Sequence, residues 1–136
     1  MEAIAKPLPR VTPELAPLFA AARERKLVVQ RCSGCGQLRF PPRELCSHCW
    51  SRESTWTPVS GRGEVFSFYW MHQIYHPGFA VEVPYAVVIV ALDEGPHVLS
   101  NMVDCSREEL RVGLPVEVTF QDASPEVTLP KFRPRR

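Results

Sequence analysis

The apolar positions of this chain change period once, near residue 27. Before that point Leu15, Leu18, Phe19 and Ala22 recur at helical spacing within residues 12–26. Pro17 cannot donate an internal helix hydrogen bond but is tolerated in the first turn. The pattern therefore predicts a helix capped at Ala16 with Pro17 at its first position, and with Arg23, Arg25 and Lys26 near the negative end of its dipole. A narrow apolar stripe of this kind must dock, either on an edge of its own domain or on a partner. After residue 27 the period is two. Residues 27–31 and 38–40 read as short strands, the second stopped by Pro41 and Pro42, and residues 55–59 as another. A long strand is expected over 64–72, with Phe66, Phe68 and Trp70 on one face and Val65, Ser67 and Tyr69 on the other. Gly61, Arg62 and Gly63 form the turn before it. After a loop at 73–83, residues 84–92 and 97–103 flank a turn at 93–96 and predict a hairpin. Ser106 and Glu109 have the spacing of a capping box on a one-turn helix over 106–110. Residues 116–120 read as the final core strand and 128–132 as a short edge strand. Five strands, a short helix before the last core strand and glycine at the bends predict a mainly β chain that ends in a small Greek-key barrel of the OB type.

The cysteines add a second module. Cys32 and Cys35, then Cys46 and Cys49, form two C-x2-C pairs separated by ten residues, the spacing of a zinc ribbon. Each pair presents two thiolates from one tight turn, and together they close a four-sulfur shell with no position left for substrate. One structural zinc ion is thus expected, held by Cys32, Cys35, Cys46 and Cys49. Gly34 and Gly36 sit in the first knuckle, where left-handed backbone is anticipated. Metal binding should supply most of the folding energy of this short segment, so a chelator is expected to unfold it first. The fifth cysteine, Cys105, reads as a small buried apolar residue. The resulting organisation is a helical segment at 1–26, a zinc ribbon at 27–56 and an OB-fold domain with a basic tail at 57–136.

Composition narrows the partners. Sixteen basic residues against fifteen acidic ones leave a net charge of +1, too little to hold a polyanion through a global field. The longest apolar run, residues 86–92, is far short of a membrane span, and residues 1–6 lack the apolar core of a signal peptide. A cytoplasmic location is expected, in keeping with thiolates rather than disulfides. Fourteen prolines, about twice the usual ~5%, separate the apolar runs and favour many short segments.

Catalytic signatures are missing. The sequence has no G-x-S-x-G elbow and no H-E-x-x-H helix, and Gly61-Arg62-Gly63 lacks the third glycine of a dinucleotide loop. His48 lies in a knuckle already closed by cysteine, His97 opens a strand, and His72 and His76 have no legible carboxylate to orient them. What remains is a binding surface. The loop aromatics Tyr75 and Phe79 are hard to explain as core, and Lys131, Phe132 and Arg133, with the cations that follow, can hold phosphates.

Several segments together resemble a known family. They are residues 27–32, Phe40-Pro41-Pro42-Arg43-Glu44-Leu45-Cys46, Gly61-Arg62-Gly63-Glu64-Val65, Pro84-Tyr85, residues 92–96, residues 111–116 and Leu129-Pro130-Lys131-Phe132-Arg133-Pro134. Over about residues 12 to 134 the chain is similar to the family catalogued as domain of unknown function 35. The resemblance implies an N-terminal helix, a rubredoxin-like zinc ribbon and an OB-fold barrel. It also implies a non-catalytic subunit that joins a thiolase-superfamily enzyme in a hetero-oligomer, with acyl-CoA at or near the interface. The enzyme best suited is a lipid-transfer-protein-like aldolase of steroid side-chain degradation. This chain would then be no enzyme by itself but a required part of an aldolase or thiolase complex. The competing expectation for an OB-type barrel is a module that stacks single-stranded nucleic acid. Balanced charge and the family segments weigh against nucleic acid as a partner.

Overall fold

The computed structural model describes residues 5–136, so the first four residues of the N-terminal segment lie outside it. The elements run α1 (Ala16–Arg23), β1 (Leu27–Cys32), β2 (Leu38–Arg39), β3 (Ser54–Val59), β4 (Arg62–Met71), β5 (Tyr85–Leu92), β6 (His97–Met102), β7 (Pro115–Asp122) and β8 (Thr128–Pro134). A 3₁₀ turn at Pro77–Phe79 interrupts the loop between β4 and β5. Strands β2, β1 and β3 make a three-stranded antiparallel sheet, and the other five close a barrel in the order β4-β5-β6-β8-β7. Neighbours in the barrel are antiparallel except β6 and β8, which meet in parallel through Met102 and Phe132. Helix, ribbon and OB-type barrel therefore follow one another as expected.

Helix α1 begins one residue earlier than its proline suggested. Leu15 is the N-cap, without a side-chain cap bond, and Pro17 falls second in the helix, where its missing N–H is still an orphan. The helix ends in a Schellman motif: Lys26 N–H donates to Ala21 O at 2.9 Å and Arg25 N–H to Ala22 O at 2.9 Å. Arg25 occupies the left-handed position at φ 64°, usually given to glycine. Its guanidinium explains the choice, because it forks onto both carboxylate oxygens of Asp122 at 2.9 and 2.8 Å. That contact ties the helix to the end of β7. Leu18, Phe19 and Ala22 are buried as the apolar stripe required, and α1 packs on β1, β7 and β8 of its own chain.

Strand β1 is buried on both faces. Leu27 and Val29 belong to the same apolar cluster as Val65, Val88, Val90, Val98, Val116 and Phe132 of the barrel, while Val28 and Gln30 point the other way. Ribbon and barrel consequently share one core. Strand β3 pairs with β1 through Val59, opposite Leu27, and the chain enters the barrel at Arg62. Gly61 makes that corner at φ 78°, and a side chain at Gly63 would collide with the carbonyl of Ala91 on β5. Only glycine lets β4 and β5 approach this closely.

Two expectations on the barrel are corrected. The alternation along β4 breaks at a β-bulge between Val65 and Ser67. Val65 is buried, Phe66 turns outward at 56% exposure, and Phe68 and Trp70 resume the inward face. Phe66 therefore does not share a face with Phe68 and Trp70; one extra residue shifts the register. The second correction concerns β8, which is no edge strand and no tail. It pairs with β7 over its whole length and touches β6 on its other side, closing the barrel. Phe132 is 0% exposed at the centre of the core. Over residues 106–110 a single turn forms, closed by Leu110 N–H to Ser106 O at 3.2 Å and capped by Glu109 N–H to Ser106 Oγ at 3.1 Å.

Phe132→Ala should cost about 3–5 kcal/mol in denaturant unfolding, where a surface phenylalanine would cost well under about 1 kcal/mol. The Asp122 carboxyl is held well below the usual range by Arg25 and then by the Thr128 hydroxyl. Its ionised form is thus favoured by folding, and the stabilisation is present above the unfolded pKa and lost as pH falls through the folded one. Asp122→Asn should lower Tm at pH 7, and the gap from the parent should shrink as pH drops below about 4.

Candidate functional site

The two C-x2-C segments fold into matching knuckles. In the first, Gly36 N–H donates to Cys32 O at 2.8 Å and Gly34 N–H reaches Cys32 Sγ at 3.3 Å. In the second, Trp50 N–H donates to Cys46 O at 2.9 Å and His48 N–H reaches Cys46 Sγ at 3.4 Å. Strand β1 delivers Cys32 directly, and β3 returns the chain from the second knuckle to pair with β1. All four Sγ atoms lie within 4.8 Å of one another, with Cys32 to Cys49 at 3.5 Å and Cys35 to Cys46 at 3.8 Å. A tetrahedral site with Zn–S bonds of about 2.3 Å needs sulfurs about 3.8 Å apart, so the quartet fits one zinc ion.

The electrostatics of the cluster agree. The Cys35 amide, followed by weaker bonds from Cys49 and Gly34, brings the Cys32 thiol down to about 6 against the opposing effect of burial. The amides of Cys49 and His48 lower Cys46. Cys49 goes the other way: the Ser51 amide favours its thiolate, but sharing with Cys32, burial and the remaining thiols outweigh it and push it up to about 12. Four sulfurs this close cannot all ionise unless a cation joins them, which is what a thiolate-bound metal supplies.

The knuckles also correct one reading. Left-handed backbone occurs after each pair, at Gly36 (φ 78°) and Trp50 (φ 68°), and not at Gly34. Gly34 is small for another reason: a Cβ there would stand 3.0 Å from Ser51 Cβ and 3.2 Å from Cys49 Sγ, where the knuckles meet. Trp50 holds a position that costs a side chain about 1–2 kcal/mol, yet it is 74% exposed. Matching the two pairs residue by residue, Gly36 against Trp50, would have revealed it.

The other candidates are scattered. Tyr75 projects from the 73–83 loop at 74% exposure, and Ile74 and Val81 of the same loop are also exposed. Phe79 is half-buried in the 3₁₀ turn, with its ring centroid 5.7 Å from Tyr85 and the Lys6 ammonium 5.5 Å above it. Lys131 is half-buried and donates to Asn101 Oδ1 at 2.7 Å. Arg133 donates to Glu117 at 3.1 Å, and Arg136 forks onto Glu109 at 2.8 and 3.1 Å. Phe132 belongs to the core and is fully buried, so it offers no surface of its own. Phe79 and Lys131 line one cavity; Tyr75 and Arg133 stand apart from it. Three histidines have side-chain partners: His76 Nδ1 accepts from Gly78 N–H at 3.0 Å, His72 meets Arg107 at 3.2 Å and His97 packs tilted against Phe66; His48 is exposed. Cys105 is partly buried against the core, and burial, then Glu109, raises its pKa, so it is a poor nucleophile.

With this geometry in place, the comparisons with known proteins are specific. Residues 19–55 match the family model of the ChsH2 rubredoxin-like zinc ribbon domain, and residues 56–121 that of the ChsH2 C-terminal OB-fold domain. The chain belongs to this zinc-ribbon and OB-fold family, DUF35. It is 39% identical to a chain of a solved structure described as Ltp2-ChsH2(DUF35) aldolase, with a TM-score of 0.83 over 93% of this chain and 98% of that one. It is also 40% identical over 95% of its length to a probable enoyl-CoA hydratase alpha subunit of Thermomonospora curvata, spanning 40% of that protein. A benzoylsuccinyl-CoA thiolase subunit BbsA of Geobacter metallireducens is 39% identical over 53% of this chain and 47% of its own. The chain therefore spans less than half the length of these two curated relatives.

Chelation of the purified protein should free four thiols to a colorimetric thiol reagent and remove about one equivalent of zinc. Because Leu27 and Val29 belong to the barrel core, Cys32→Ser should lower the thermal transition of the whole chain; an unchanged barrel transition would mean that the two modules fold independently.

Proposed function

We propose that this chain is a non-catalytic accessory subunit that joins a thiolase-like acyl-CoA enzyme. The observation that carries this reading is the end-to-end match to the DUF35 chain of an aldolase at 39% identity, in which 98% of that chain is covered. A relative named as a thiolase subunit points to the same partner class. The chemistry of the chain itself supports it. The four-cysteine shell has no open coordination position, and among the described residues each histidine serves the fold or lies exposed without a catalytic partner. The finer reading is an aldolase of steroid side-chain degradation, with acyl-CoA near the shared interface and the complex in the cytoplasm.

The exposed apolar residues Ile74, Tyr75 and Val81, with Trp50 on the ribbon, supply the aromatic and aliphatic anchors that interfaces use. A nucleic-acid role finds no such support. Two cations of the C-terminal segment are already paired with carboxylates, Arg133 with Glu117 and Arg136 with Glu109.

Co-expression with a thiolase-like enzyme should give a complex that copurifies and cleaves or condenses acyl-CoA, with partner solubility and turnover falling when this chain is left out. A partner equally soluble and active alone would overturn the proposal. Within such a complex, Tyr75→Ala should weaken association by roughly tenfold or more while leaving the fold of this chain intact.

A further inference from the structure

The cavity shared by Phe79 and Lys131 lies on the outer face of the barrel wall formed by β6, β8 and β7, where the N-terminal segment meets the 73–83 loop. Three contacts hold that segment down. Gly78 lies against its backbone, leaving a Cβ only 2.7 Å from Lys6 Cα; Lys6 Nζ pairs with Glu82 at 2.8 Å; and the same ammonium sits over the Phe79 ring. The cavity beneath has a volume of about 410 Å³, in the range that accepts small organic ligands. Leu8, Phe79 and Leu129 are among its apolar walls, and Lys6, Lys131, Asn101, Gln121 and Asp122 are its polar ones.

Lys131 is under-satisfied there. An ammonium has three donors, and among the described residues its acceptor is Asn101 Oδ1 alone. The orientation of Asn101 is fixed by its own Nδ2, which donates to Ala86 O at 3.1 Å, so the oxygen faces the lysine. Asp122, which lines the cavity, and Glu82 beside it are already committed. Asp122 is forked by Arg25 and accepts from the Thr128 hydroxyl, and Glu82 is paired with Lys6. Burial and then the positive charge of Lys6 lower the pKa of Lys131, with Glu82 opposing. Among the described residues, no carboxylate near this half-buried lysine is left unpaired to offset its charge, an arrangement that an anion would complete.

We infer that this cavity binds the anionic group of a small amphiphilic ligand, with Lys131 as the charge contact and the apolar walls taking the rest of the molecule. The anion is a phosphoryl or carboxylate group. The site deepens the acyl-CoA reading by naming an anion contact on this chain, but its test is separate, because partner copurification and ligand binding are different readouts.

The experiment titrates the full zinc-loaded chain with three probes: coenzyme A, decanoate and inorganic phosphate. Saturable binding of coenzyme A or decanoate is expected, and the stronger of the two identifies the anion as phosphoryl or carboxylate. Lys131→Met should weaken it roughly tenfold or more, while Lys131→Arg should retain most of it. As a check that needs no variant, the bound probe should slow reductive methylation of Lys131 more than that of Lys26. The inference is overturned if neither organic probe saturates, if Lys131→Met binds as well as the parent, or if Lys131 methylates equally with and without probe. Copurification of the Lys131→Met chain with its partner would show the accessory role standing whichever result is obtained.

Discussion

The structure depends on the burial of β1 from both sides. A strand in a small zinc ribbon normally has one face to spare, because the metal and not a core holds the module together. Here Leu27 and Val29 are inserted against the barrel, while α1 packs over the strand from the N-terminal side of the chain. The ribbon's central strand is therefore also a wall of the barrel core. The barrel core would lose the cover of Leu27 and Val29 if the ribbon let go. The zinc ion, which pins Cys32 at the end of this strand, acts at a distance on a domain it does not touch.

Fold and site differed in how far local pattern could reveal them. The ribbon was legible because its chemistry is local: ligand spacing, knuckle geometry and flanking strands lie within a few residues of each other. The hairpin β5–β6 was legible because both strands alternate cleanly about a short turn. The bulge in β4 was not, since nothing near Phe66 announces an extra residue; the shift exists only against the partner strand. Strand β8 misled for a different reason. Pro130, Lys131, Arg133 and Pro134 read as an edge or a tail, yet the prolines are tolerated because pairing with β6 is confined to the Met102–Phe132 bridge and its flanking bond from Val103 N–H to Phe132 O at 2.8 Å. Lys131 and Asn101 could not be linked by pattern at all, because a contact across thirty residues through a parallel bridge has no local signature.

The left-handed residues show how strain is placed. Arg25 and Trp50 stand where glycine would be cheaper. For Arg25 the return is visible within the chain, in the fork onto Asp122 that fastens the helix. For Trp50 it is not, and the ring projects into solvent.

Strand β8 has a consequence for how the protein is made. It is the last strand of the barrel to leave the ribosome, yet it fills the gap between β6 and β7 and carries the core's central ring. Until it emerges, four strands stand open with two unpaired edges and a vacant slot where Phe132 will go. The ribbon, by contrast, is complete by Val59, so metal can be captured early and Leu27 and Val29 presented as a preformed apolar template. Zinc supply during synthesis, rather than afterwards, would then decide how long the unfinished barrel remains exposed to wrong pairings.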